Sequence, residues 1–211
     1  MDISSEFYET NYLKFSDTRF CLWDVVRKFG EQFTPESRVL DAGCGNGKNM
    51  KYFDTNCRIV GIDKSKNLTG LCIERGYNVQ NADINNIPHA VDEFDYIMCI
   101  AVLHHIDNEV LRVEAIHEML RVLKPGGQLL VTVWAYESDL YSTRKNFTIG
   151  DNIVKFNNDD CNRYYYIYDK DLFEKTCGSV LNVTYDLSWD RGNWNVIFTK
   201  NKYCEEEWSA K

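Results

Sequence analysis

The strongest chemical signal is Val39-Leu40-Asp41-Ala42-Gly43-Cys44-Gly45-Asn46-Gly47-Lys48, an apolar run that opens into three alternate glycines. Glycine lets a backbone turn sharply and approach a ligand with no Cβ in the way, and a helix start behind such a turn favours negative charge. The dinucleotide fingerprint is spaced G-x-G-x-x-G, whereas here the spacing is G-x-G-x-G with Asp41 two residues before the first glycine. An acid at that point repels a pyrophosphate and attracts an ammonium group, which favours a cofactor carrying an amino acid. A second acid, Asp63, ends Arg58-Ile59-Val60-Gly61-Ile62-Asp63, about 20 residues on, where an acceptor for both ribose hydroxyls belongs. A third, Asp83 in Asn81-Ala82-Asp83-Ile84-Asn85-Asn86-Ile87-Pro88, follows the next apolar run and is placed to accept from an exocyclic adenine amine. Singly, each acid reads equally well as a helix cap or turn former. As a set at consecutive strand ends they mark one ligand-binding edge, because open α/β sheets bind ligands beyond the carboxyl ends of their strands.

The elements that must carry these residues alternate in period from about residue 36 onward. Besides the runs ending at Ala42 and Asp63, Glu93-Phe94-Asp95-Tyr96-Ile97-Met98-Cys99-Ile100 reads as a buried parallel strand. So does Gln128-Leu129-Leu130-Val131-Thr132-Val133-Trp134, entered through the turn Lys124-Pro125-Gly126-Gly127. Between them Val113, Ile116, Leu120 and Leu123 form one helical stripe. Strand, helix, strand, helix predicts a doubly wound parallel sheet with helices on both faces. Leu22, Val25, Val26, Phe29 and Phe33 predict one or two cap helices within 1–35, ahead of a core at 36–136. The stretch 137–162 has no clear period and reads as a long functional loop. A helix over 169–177 and a closing antiparallel pair, 180–189 and 194–199, complete a single domain over 1–211, with Gly192 and Asn193 supplying the positive φ of the hairpin turn.

The 211 residues are 44% hydrophobic, enough for one substantial core. No run approaches the roughly 18 apolar residues that span a bilayer, and the first residues lack the basic and apolar regions of a signal peptide, so membrane and secretory readings are excluded. The 8 cysteines form no C-x-x-C and no Cys/His cluster; they read as reduced thiols of a cytoplasmic protein without structural zinc. The net charge of -8 opposes nonspecific grip on a phosphate backbone, so a nucleic acid substrate needs a local patch or a partner. Lys48, Lys51, Lys64 and Lys66 read as a solvated face, with a phosphate-contacting patch as the alternative.

The segment from Asp41 to Gly47, with Asp63, Asp83, the 124–127 turn and the final hairpin, resembles the class I S-adenosylmethionine-dependent methyltransferases. Further elements are similar to the tRNA wobble-uridine carboxymethyl methyltransferases, a group that includes the yeast-type stand-alone enzyme and the methyltransferase domain of the animal protein with an AlkB-type dioxygenase. They are Tyr8, Phe15-Ser16-Asp17-Thr18-Arg19, Trp23, Ile100-Ala101-Val102-Leu103-His104-His105, Arg112-Val113-Glu114, Trp134-Ala135, Arg163-Tyr164-Tyr165 and Asp190-Arg191-Gly192-Asn193-Trp194. The resemblance covers nearly the whole chain. It implies a Rossmann-like seven-stranded sheet with a reversed last strand. It also implies methyl transfer from S-adenosylmethionine to the carboxylate of 5-carboxymethyluridine in the tRNA anticodon loop, leaving the methyl ester and S-adenosylhomocysteine.

On that resemblance Arg19, Asp41, Gly43, Gly45, Asp63, Lys64, Asp83, Ile84, Ile100 and His104 are the expected cofactor contacts, and His105, Arg163 and Arg191 the expected catalytic residues. A carboxylate is already ionised at neutral pH, so its attack on a sulfonium methyl needs no general base and depends on alignment. An arginine that holds one carboxylate oxygen supplies that alignment; Arg163 and Arg191 are the candidates, with Arg19 divided between substrate and the methionine carboxylate. Either histidine, like Trp134 and Tyr165, reads also as a packing residue. The stretch 137–162 carries fewer basic than acidic side chains, which puts independent tRNA affinity in doubt and makes a small zinc-binding methyltransferase activator subunit an expected partner. The alternatives are a class I methyltransferase with a small-molecule or protein substrate, a noncatalytic module of that fold, and, against the glycine spacing, a nicotinamide oxidoreductase.

Overall fold

Strands buried on both faces must be apolar nearly throughout, and the continuous runs of the sequence become the centre of one sheet. In the computed structural model, which describes residues 3–16, 21–137, 147–155 and 162–202, these are β1 (Arg38–Ala42), β2 (Arg58–Asp63), β3 (Val79–Asn81), β4 (Phe94–Ile100) and β5 (Leu123–Trp134). The closing strands are β8 (Val183–Asp190) and β9 (Asn193–Lys200), and the strand order is β3-β2-β1-β4-β5-β9-β8. β1 to β5 pair in parallel, and β9 runs antiparallel to both β5 and β8. The last strand in sequence, β9, is therefore the reversed one that the sequence predicts, and it lies between β5 and the edge strand β8. No described helix is long and apolar enough to cross a membrane.

Helices cover both faces. On one, α6 (Glu109–Val122) and α7 (Lys170–Gly178) bury Ile116, Leu120 and Phe173 against Leu40, Ile97, Leu129 and Phe198. On the other, α3 (Asp24–Gly30), α4 (Met50–Phe53) and α5 (Lys66–Glu74) bury Val26, Phe29, Met50 and Cys72 against Val39, Met98 and Leu130. The starts of α5, α6 and α7 are capped by Ser65, Asn108 and Asp169, whose side chains accept from Leu68, Leu111 and Leu172 backbone N–H groups; each such cap is worth about 1 kcal/mol. α1 (Ile3–Thr10) and α2 (Tyr12–Ser16) precede α3, so the N-terminal cap has three helices, one or two having been expected.

Three details depart from the sequence reading. The stretch read as a loop contains β6 (Gly150–Lys155), which pairs with β7 (Asn162–Ile167) in a separate two-stranded sheet. Only Val154 of β6 is buried, so its apolar alternation is too weak to register as a strand. At the β8–β9 turn Asp190 pairs with Asn193, and the positive φ angles fall on Arg191 (45°) and Gly192 (79°); Asn193 instead donates from Nδ2 to the carbonyls of Asp190 and Arg191. The helix behind the glycine loop, α4, is a single turn.

Candidate active site

Beyond the carboxyl ends of the strands opens a cavity of about 1300 Å³. The glycine loop forms its floor. Gly43, Gly45 and Gly47 all adopt positive φ, and a Cβ on Gly43 would sit 2.4 Å from Val102 Cγ2, so any larger residue there displaces the chain from the cavity wall. The loop is fixed by Asp63: the Gly45 N–H donates to its Oδ2 (2.8 Å) and the Ser65 N–H to its Oδ1 (2.9 Å). Burial raises the Asp63 carboxyl above its ordinary value, and these N–H groups pull it back. Each oxygen keeps acceptor capacity toward the cavity. Asp83 is tied by an N–H from Asn85 (3.0 Å) and stands 3.1 Å from Lys64 Nζ, so Lys64 belongs to the cavity wall and not to a purely solvated face. Lys48, 4.9 Å over the Trp23 ring, lines the wall as well, whereas Lys51 and Lys66 are exposed outside it. Ile84 and Ile100 add apolar wall.

Asp41 departs from its expected place. It is fully buried behind the glycine loop and is not among the residues that line the cavity. Among the described residues neither carboxylate oxygen has a partner in good hydrogen-bond geometry, Asn49 being the polar side chain beside it, and a charged group left so costs about 1–3 kcal/mol or more. Burial pushes its carboxyl up to about 7, while Asn49 and Lys48 act the other way.

The opposite wall comes from α1, β7, the ends of β4 and β5, and the β9 turn. His105 Nδ1 lies 3.0 Å from the Tyr164 carbonyl, which only accepts, so Nδ1 carries the proton and Nε2 accepts from the Tyr8 hydroxyl at 2.8 Å. α1 is held over the cavity at both ends: Ser4 Oγ donates to the same Tyr164 carbonyl, and Ser65 Oγ donates to Glu9 Oε2 (2.7 Å). His104 is fully buried. Its Nδ1 accepts from the Trp134 N–H (3.2 Å), which leaves the proton on Nε2, an atom with no hydrogen-bond partner. Burial, reinforced by the Arg163 guanidinium, holds this ring well below the usual histidine range, so it is a neutral donor.

The two candidate arginines part company. Arg163, on β7, is 3% exposed, with its guanidinium 4.9 Å over the Phe7 ring and 5.1 Å over the Tyr165 ring. Arg191, at the hairpin tip, is 79% exposed on its side chain and lies 3.4 Å from Asp24. Both border the cavity. Trp134 and Tyr165 stack at 4.2 Å, so both the packing and the platform readings describe them. Arg19 lies outside the described residues. Tyr8 emerges as a cavity residue in its own right, and Asn195, which the sequence reading did not single out, is a buried cavity residue on β9. Its signal was a polar residue inside a β-rich run.

A family model described as a methyltransferase domain matches residues 40–131. The fold is similar to a crystal structure of a S-adenosylmethionine-dependent methyltransferase from Methanosarcina mazei, at TM-score 0.69 and 16% identity over 85% of this chain and 98% of that one. An Arabidopsis thaliana protein named tRNA (carboxymethyluridine(34)-5-O)-methyltransferase is 44% identical over 59% of the chain, which spans only 31% of that protein's length. A Schizosaccharomyces pombe protein of the same name is 32% identical over 92% of the chain and 94% of its own length. The chain belongs to this tRNA carboxymethyluridine methyltransferase family. The glycine loop, Asp63 and Asp83 form one edge of the cavity, with Asp41 buried behind them, and α1, β7 and the β9 turn form a second wall. The glycine-loop edge fits S-adenosylmethionine on one observation above all: Asp41 is a buried carboxylate with no hydrogen-bond partner among the described residues, set behind the glycine loop that floors the cavity.

Proposed function

We propose that this chain methylates the carboxylate of 5-carboxymethyluridine at the tRNA wobble position. The observation that carries the reading is Arg163, a buried arginine in the same cavity as the glycine loop and Asp63. When bound, S-adenosylmethionine supplies a methyl on a cationic sulfur, and the products are the methyl ester and S-adenosylhomocysteine. Asp63 takes the ribose hydroxyls, Asp83 the adenine amine against Ile84, and Asp41 the ammonium group through its field from behind the loop. Arg163 grips one carboxylate oxygen and leaves the other free to attack; the low-dielectric ring pair around it strengthens that grip and excludes water. His105 is a positioning residue: its two hydrogen bonds join α1 to β7 across the cavity, and with Nε2 engaged by Tyr8 it is not needed as a base. Arg191, exposed on the rim, serves the RNA approach.

The net charge of -8 supports a partner in tRNA capture, and a small zinc-binding methyltransferase activator subunit fills that role. The six described cysteines Cys21, Cys44, Cys57, Cys72, Cys99 and Cys177 are free thiols, which supports a cytoplasmic setting. The test is filter binding of tRNA to the chain with and without that subunit. Weak, salt-sensitive binding by the chain alone and tighter binding with the subunit is expected; strong, salt-insensitive binding by the chain alone contradicts it.

A further inference from the structure

The wall opposite the glycine loop holds two buried polar atoms with no hydrogen-bond partner among the described residues. Asn195 is 1% exposed, lines the cavity, and its Oδ1 has no hydrogen-bond partner. Its Nδ2 reaches back toward the Asn193 carbonyl at 3.5 Å, which turns the oxygen the other way. Across the β5–β9 pair it faces Thr132, whose Oγ already accepts the Ala101 N–H. The second atom is His104 Nε2, a buried N–H donor whose ring is stacked on Tyr165. Both line one stretch of β5 and its neighbours: His104 through its bond to the Trp134 N–H, Asn195 through its pairing with Thr132. Buried polar groups left unpaired in a folded chain are expected where a ligand completes them.

An acceptor and a neutral donor, beside a stacked Trp134–Tyr165 pair, describe a complement to a flat ring that itself offers one donor and an acceptor. The uracil imide is such a ring, with N3–H between two carbonyl oxygens. Cytosine also offers a donor and acceptors, but its donor is the exocyclic nitrogen and its N3 carries a lone pair, so an acceptor held opposite N3 pairs with uracil and repels cytosine. We propose that Asn195 determines base specificity: its Oδ1 accepts the N3–H of the target uracil, and His104 Nε2–H donates to a carbonyl oxygen of the same ring. The inference rests on the proposed wobble-uridine activity and adds the residues that select the base.

The experiment uses tRNA anticodon stem-loops carrying 5-carboxymethyluridine, its N3-methyl derivative or 5-carboxymethylcytidine at the wobble position, with the full chain and the activator subunit. Wild type should prefer the uridine substrate over the cytidine one by about 100-fold or more in kcat/KM, because a site built to hydrogen-bond an N–H leaves its own polar group unpaired on the wrong ring. Asn195→Ala should cut that preference about tenfold or more by slowing the uridine substrate, with S-adenosylhomocysteine affinity within about twofold. Asn195→Asp keeps an acceptor oxygen there and should retain the preference. Equal slowing of both substrates by Asn195→Ala assigns the residue a structural role and overturns the proposal. N3 methylation provides a check that needs no variant: an undiminished wild-type rate on that substrate overturns it too. If wild type binds S-adenosylhomocysteine yet methylates none of the three, the wobble-uridine function fails, and this inference with it.

Discussion

The two walls of the cavity are built by different means. On the cofactor edge the ties are short in sequence: Asp63 receives N–H groups from Ser65, two residues away, and Gly45, 18 away. On the opposite wall they are long: Tyr8 meets His105 across 97 residues, Ser4 meets Tyr164 across 160, and Arg191 meets Asp24 across 167. A site assembled from one loop and the next strand is settled once the sheet forms. A wall assembled from α1, β7 and the β9 turn needs the whole chain in place and is free to change its residues without disturbing the sheet, which suits a division in which one wall holds a common cofactor and the other selects a substrate.

Arg163→Met breaks that division most directly. The largest expected effect is a fall of about 100-fold or more in single-turnover methyl transfer, since the lost group orients the nucleophile. Calorimetric S-adenosylhomocysteine affinity and the salt slope of tRNA binding should stay as in wild type; a slope reduced by about one unit would make Arg163 a phosphate contact. The mirror experiment is Asp63→Ala, which should weaken S-adenosylhomocysteine about tenfold or more. Unchanged affinity in a folded variant would remove Asp63 from the cofactor edge.

A smaller effect concerns Asp41. An acid raised by burial to about 7 binds its proton more tightly in the folded chain, so its contribution to stability is present below pH 4 and is lost as pH rises through 7. Each unit of such a shift is worth about 1.4 kcal/mol. Asp41→Asn should therefore raise the Tm of the cofactor-free protein at pH 8 by roughly 5 °C or more and leave it nearly unchanged at pH 4. A Tm difference independent of pH would show that Asp41 is not the titrating group. The smallest effect is expected from Arg191→Met, whose exposed ion pair with Asp24 is worth about 0–1 kcal/mol; methyl transfer at saturating tRNA should change less than about threefold. A loss as large as that of Arg163→Met would exchange the roles of the two arginines.

The same contrast decides what could be read from the sequence. The sheet, its reversed last strand and the glycine loop with Asp63 and Asp83 at one edge of the cavity were legible because continuous apolar runs, glycines and terminal acids are local signals. β6 was not, since its inward positions are Gly150, Asn152 and Val154 and its two apolar side chains, Ile153 and Val154, are adjacent, which leaves no apolar alternation in the sequence. The turn residue Arg191 was passed over because glycine and asparagine are the usual occupants of positive φ, and the pairing of Asp190 with Asn193 moved the turn by one residue. The place of Asp41 behind the loop depends on how the loop folds back onto Val102. Asn195 becomes meaningful only when the β5–β9 register brings it beside Thr132 and into the cavity. The difference between a buried Arg163 and an exposed Arg191 is likewise tertiary: both are arginines in segments that also carry aromatic residues, Tyr164 and Tyr165 for one and Trp189 and Trp194 for the other.

The central claim is that one wall presents a carboxylate to a cofactor held by the other. It is tested most directly by incubating tRNA bearing 5-carboxymethyluridine with the chain, the activator subunit and S-adenosylmethionine, then digesting the RNA and weighing the wobble nucleoside. The account predicts a single added methyl that mild alkali removes as an ester, and no methylation of a matched tRNA with unmodified uridine at that position. A methyl that resists alkali, or one placed equally on the unmodified tRNA, would contradict it.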